Sequence, residues 1–227
     1  MPTPSLRATR WMGWLFAIGS ACFALGVPLS LATSLSPTVA AATYFVGSIF
    51  FTSASTIQMK CAWRTGDDSA SMTRSQAVLS RHPAWTSAWI QWIGTLAFNV
   101  TTFWGLVEAS GTQSVTNQVI WRPDAVGSIL FLVSSAIALM PDVRRHRHGH
   151  ARDRSWAISA VNMLGSIFFG ISAIGAYVVP ATDELLNSEW SNGGTFLGAI
   201  CFLIGAVLVL PRKHLRDTTP SVPAGRS

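Results

Sequence analysis

Six apolar stretches without a single Asp, Glu, Lys, Arg or His run along the chain at residues 11–31, 39–59, 86–107, 125–140, 156–179 and 195–210. A helix rises about 1.5 Å per residue and a bilayer core is about 30 Å thick, so roughly 20 such residues predict one membrane span. Four stretches reach that length. The fourth and sixth, at roughly 16 residues, must stand nearly upright or draw on a flanking polar turn. Trp121-Arg122-Pro123-Asp124 and Trp190-Ser191-Asn192-Gly193 read as turns before a returning helix. Leu139-Met140-Pro141 and Val209-Leu210-Pro211 read as helix stops, because proline cannot readily continue a helix. The expected fold is all-α: a polytopic integral membrane protein with six transmembrane helices as three tandem helical hairpins, about 11–59, 86–140 and 156–210. These form a single domain, 1–217, followed by a Pro- and Ser-containing cytoplasmic tail, 218–227, that is expected to be disordered.

Each stretch contains one copy of a short pattern: glycine, a small residue, two variable positions, phenylalanine, two more, then a small residue. The copies begin at Gly19-Ser20, Gly47-Ser48, Gly94-Thr95, Gly127-Ser128, Gly165-Ser166 and Gly198-Ala199. Their phenylalanines are Phe23, Phe51, Phe98, Phe131, Phe169 and Phe202, and their last small residues are Gly26, Ala54, Thr101, Ser134, Ser172 and Gly205. The glycines are closer within successive pairs than between pairs, which sets the hairpin boundaries. Positions 0, +4 and +7 predict one packing stripe per helix. Lipid is already apolar, so helices associate in it through close backbone approach and interhelical hydrogen bonds. The stripe is nearly symmetric under reversal. The expected hairpin contact therefore places the glycine of one helix against the last small residue of its partner's motif, with the two phenylalanines passing near the middle.

Composition supports a membrane location: the 227 residues are 49% hydrophobic and 11% charged, with mean hydropathy +0.38. The net charge of +6 is distributed by membrane side rather than along one face, which argues for lipid and against nucleic acid as the partner. Every Lys and Arg except Arg122 falls before the first stretch, between the second and third, between the fourth and fifth, or after the sixth. Both termini are therefore expected in the cytoplasm, with anionic lipid headgroups as partners of the basic loops. Arg7 and Arg10 before an apolar run also fit a signal peptide, but the run is long and carries the repeat, so it reads as a span. Cys22, Cys61 and Cys201 give no even disulfide framework, and three free thiols are expected.

Candidate chemistry is sparse. No phosphate-binding glycine loop, His-Glu-x-x-His or paired-cysteine zinc spacing is present, so no catalytic, cofactor or metal residue is assigned. His146, His148 and His150 alternate in a loop, but the surrounding arginines oppose a dication. Asn99, Thr101, Thr102, Asn162, Thr52, Ser53, Ser55 and Thr56 either hydrogen-bond between helices or line a solute path. Glu108 and Asp124 are expected as interfacial, solvated carboxylates.

The repeated Gly-Ser-x-x-Phe hairpin resembles the YrhK-like family of small bacterial membrane proteins, most clearly from Asn162-Met163-Leu164-Gly165-Ser166-Ile167-Phe168-Phe169 to Thr195-Phe196-Leu197-Gly198-Ala199-Ile200-Cys201-Phe202. The resemblance implies a bacterial cytoplasmic membrane and brings no catalytic residues. HdeD-type membrane proteins, associated with acid stress, are similar in architecture alone. The expected function is a non-enzymatic membrane protein of structural, accessory or stress-related role, with a passive channel or uncoupled carrier for a small neutral solute as the alternative. The apolar surface also leaves room for a homo-oligomer.

Overall fold

The computed structural model describes residues 5–66, 83–113, 117–147, 153–182 and 184–211. The fold is all-α, with helices α1 (Leu6–Leu31), α2 (Pro37–Gly66), α3 (Pro83–Ala109), α4 (Asn117–Arg147), α5 (Arg154–Gly175) and α6 (Ser188–Val209). A two-residue antiparallel ribbon, β1 (Val178–Val179) with β2 (Glu184–Leu185), decorates the α5–α6 connection. The expected tail 218–227, His148, His150, Arg74, Arg81 and Arg152 lie outside the described residues.

Among the described residues, five helices are long and apolar enough to cross a membrane: Leu6–Leu31, Pro37–Trp63, Gln118–His146, Arg154–Gly175 and Ser188–Val209. Ile18, Leu25, Ile49, Val100, Ile129, Val133, Ile174, Ile204 and Val207 are exposed, whereas many hydroxyls are buried. An apolar outside with hydroxyls buried between the helices fits a multi-pass membrane protein.

Three sequence expectations about helix ends are overturned. Pro141 does not stop a helix: α4 continues to Arg147 with both Pro123 and Pro141 inside it. Trp121–Asp124 is likewise helix rather than turn, and so is Trp190–Gly193, which lies in the first turns of α6. Each proline removes one backbone donor, at a carbonyl four residues back, which one long helix tolerates when its remaining ladder is intact. As a result the fourth element has 31 residues and the sixth has 22, so neither is short. The extension also carries Asp142 into the helix. Only 8% exposed, Asp142 accepts a hydrogen bond from Ser159 at 2.8 Å and longer ones from Ser155, tying α4 to α5. Arg154 in turn donates to the Leu210 carbonyl at the end of α6.

The helices form a closed ring in which α1 packs on α2, α2 on α3, and so on until α6 returns to α1. The repeat explains the ring. In an α-helix, position +7 comes back almost beneath the motif glycine after two turns, +1 and +8 lie roughly a quarter of a turn round from it, and phenylalanine +4 falls between the two. The pattern thus supplies two contact faces set at the kind of angle that closes a ring of six, with the phenylalanine between them. It follows that 0 and +7 face the hairpin partner, +1 and +8 face the adjacent hairpin, and the aromatic ring at +4 points to the axis.

The hairpin register differs from the expected one: glycine meets glycine. A Cβ on Gly19 would lie 3.0 Å from the Gly47 carbonyl oxygen, and one on Gly47 would lie 3.1 Å from that of Gly19. Gly165 and Gly198 repeat this at 3.2 and 3.0 Å. The last small residues of the motif instead meet the partner's early turns, as Ser134 does Ser87 (3.1 Å between hydroxyls) and Ser172 does Thr195 (2.7 Å). Pairing glycine with the last small residue would trap both aromatic rings between the backbones. The observed register puts the smallest residues at the crossing and sends the rings to either side. Cys22 and Cys201 are free thiols whose Cβ atoms pack on Gly47 and Gly165.

Candidate functional site

The six motif phenylalanines converge on the axis as two stacked triangles. Phe23, Phe98 and Phe169 from the odd helices lie 5.7–6.4 Å apart between ring centroids. Phe51, Phe131 and Phe202 from the even helices are 5.7–6.4 Å apart. Within each hairpin the two layers touch at 5.1–5.8 Å. Most of these pairs are edge-on, the arrangement that ring quadrupoles favour. A void of about 10 Å³ remains among the rings, room for at most one water.

The hydroxyls at +1 and +8 hold the hairpins to one another, in reciprocal pairs. Between α2 and α3, Ser48 Oγ lies 2.9 Å from Thr102 Oγ1, and Ser55 Oγ lies 3.2 Å from Thr95 Oγ1. Between α4 and α5 one pair survives, Ser135 with Ser166 at 2.8 Å, while Ser128 donates to the Phe169 carbonyl. Between α6 and α1 the equivalent positions are Ala199, Val27, Ala206 and Ser20, and the fully buried Ser20 hydroxyl has no partner among the described residues. Among the described residues, the +1/+8 hydroxyl pairs thus number two, one and none at the three seams between hairpins.

Most of the candidate path residues bond across a seam or to their own helix. Asn99 donates to Thr52, Trp92 donates to Thr56, and Thr52 and Ser53 return their hydroxyls to their own helix. Asn162 packs its amide against Gly205. Glu108 is exposed, and His146 sits near the end of α4. Thr101 and Thr102 border a cavity, although both already donate to carbonyls.

That cavity is a cup of about 340 Å³ at the hairpin end of the ring, opposite the chain termini. Its floor is the Phe23–Phe98–Phe169 triangle. Its wall is built from equivalent positions of the three repeats, which have diverged. At −3 on the even helices stand Tyr44, Asp124 and Thr195; at −6 stand Ala41, Trp121 and Asn192; at +11 on the odd helices stand Ser30, Gly105 and Ala176. Val178 of β1 and Leu185 of β2 close part of the rim. Tyr44 rests its ring on Gly26. Trp121 donates its indole N–H to the Ala173 carbonyl at 2.8 Å and stacks edge-on against Tyr177.

Among the described residues, Asp124 is the one carboxylate in the lining, and no hydrogen bond or ion pair to it occurs there. Sequence reasoning placed Asp124 at a solvated interface and missed the cup, because the neighbouring Trp121-Arg122-Pro123 reads as a turn. The usable signal was the comparison of −3 positions across the repeats.

The chain matches no protein-family model, no curated protein and no solved structure, so the YrhK-like resemblance rests on the residues of the hairpin alone.

Proposed function

We propose that all six helices span a bacterial cytoplasmic membrane, with both termini in the cytoplasm, and that the chain is a non-enzymatic, non-conducting membrane protein of structural, accessory or stress-related role. The sixth span would be α3, whose Trp92, Thr95, Asn99 and Thr102 lower its apolarity but are spent on bonds within the ring. The concentration of Arg and Lys at the terminal end supports the orientation and a contact with anionic lipid headgroups. In a cysteine-free background, Ser110→Cys should be labelled by an impermeant reagent from outside and Ser221→Cys from inside. The reverse pattern would sink the orientation.

The observation that carries the non-conducting reading is the double phenylalanine triangle across the axis. Reconstituted into vesicles, the protein should leave glycerol and urea entry, followed by light scattering after osmotic shock, equal to that of empty vesicles. Faster entry would overturn the reading. The second reading, a passive path for a small neutral solute with the phenylalanines as its gate, is favoured by the cup alone.

A further inference from the structure

We propose that the cup is a binding site for a small organic cation of the ammonium class, with Asp124 as its counter-charge. The first ground is electrostatic. Among the described lining residues one carboxylate faces the cavity, without an ion pair, and there is no Lys or Arg. Arg122, two residues before it, is exposed instead.

The second ground is the chemistry of the remaining wall. Phe23, Phe98 and Phe169 form the floor and Tyr44 and Trp121 stand beside it, so an entering cation meets π-systems on several sides. The hydroxyls are already committed: Ser172 is paired with Thr195, Thr101 with the Ile120 carbonyl, and Ser30 with the Val27 carbonyl. A sugar or an anion would need free donors and would find few. A divalent metal would need several oxygen ligands around one point, and Asp124 supplies the one carboxylate. A methylated ammonium requires neither; it needs a negative charge and an apolar, polarizable shell. The volume of about 340 Å³ lies at the small end of the range for ligand pockets, which sets the size of the guest.

The third ground is the repeat. The glycine and phenylalanine positions are the same in all six copies, but the cup positions have diverged to Tyr44, Asp124 and Thr195 at one level and to Ala41, Trp121 and Asn192 at the next. A symmetric wall would be enough for packing, whereas a charge on one side orients a guest.

The experiment uses the full chain in maltoside micelles, which contain no amine headgroup, titrated with choline chloride and with its neutral isostere 3,3-dimethyl-1-butanol. Calorimetry should detect choline, with the isostere at least tenfold weaker. Asp124→Asn should weaken choline at least tenfold and leave the isostere unchanged, and Asp124→Glu should restore the preference for the cation. Should Asp124→Asn fail to fold, the comparison of choline with its isostere on the unaltered chain decides. Equal affinity for the two, an undiminished choline affinity in Asp124→Asn, or no choline binding at millimolar concentration would each overturn the assignment. The vesicle flux result bears on none of these outcomes, so this site and the non-conducting reading fail separately.

Discussion

Gly194 lies so close to Phe168 that a Cβ on the glycine would fall 2.6 Å from the phenylalanine carbonyl oxygen, whereas its chain neighbour Gly193 faces open space. One step along the same helix thus separates a very tight backbone approach from none. Gly194→Ala must move backbone, since the Ser172 nitrogen is also 2.7 Å from the added carbon. It should destabilise the protein by about 1–3 kcal/mol or more, the range of overpacked cores. Gly193→Ala relieves a helix of a glycine and should stabilise it by about 0.5–1 kcal/mol. Thermal unfolding in detergent should order the three proteins Gly193→Ala, parent, Gly194→Ala. Any other order would contradict the packing described.

The three seams give a graded test of the hydroxyl pairs. Ser48→Ala removes a partner of Thr102, and hydrogen bonds between membrane helices average about 0.6 kcal/mol, so a loss of that size is expected. Ser20→Ala removes a buried hydroxyl that has no partner among the described residues, and should be neutral or stabilising. Denaturation by a graded anionic detergent resolves the difference. Equal losses at the two serines would mean that the reciprocal pairing does not set the strength of the seams.

Much of the ring was legible in the sequence, through the six glycines and six phenylalanines at constant spacing. The hairpin register was not, because a near-symmetric stripe satisfies more than one antiparallel alignment, and only side-chain volume at the crossing chooses between them. Position +8 escaped notice for a different reason. Val27, Ser55, Thr102, Ser135, Ala173 and Ala206 are all buried, yet no one residue type runs through the six, so their equivalence emerges only once the adjacent hairpin is in place. Pro123 misled as part of a turn and Pro141 as a stop because proline is read as punctuation, while a ring that holds the helix on two sides tolerates it. The cup was the least legible feature. Asp124 carries no local signal of its surroundings, which come from five other helices and from Val178 and Leu185 of the ribbon.

Asp142, just past the proline at which the sequence suggests a helix stop, is a buried acceptor between α4 and α5. Hydrogen bonds to a charged group contribute about 1.5–3 kcal/mol, so Asp142→Ala should cost on the order of 2 kcal/mol. Asp142→Asn keeps an oxygen for Ser159 and should recover part of that loss, whereas Ser159→Ala added to Asp142→Ala should cost little more. Unfolding of the three variants checks this. Additive losses for the last pair would show that the two residues act independently.

Tyr44 and Gly26 offer a test of the cup wall that does not depend on any ligand. The Tyr44 ring occupies the space a Cβ on Gly26 would need, with the aromatic carbons as the atoms met. Gly26→Ala must therefore push the ring from its seat beside Phe23, 5.6 Å distant between centroids. Tyr44→Ala leaves a hole, for which losses of about 3–5 kcal/mol are typical of large aromatic deletions. In the double variant the new methyl group occupies part of the hole, and the clash is gone. The sum of the single losses should exceed the loss of the double variant by roughly 1–3 kcal/mol, the coupling seen for residues that share one space. The clash depends on the two helices being held at their present distance by the Gly19–Gly47 crossing. If α1 and α2 were free to separate, both single variants would relax independently and the cycle would be additive. Additivity within about 0.5 kcal/mol would thus count against the hairpin register itself.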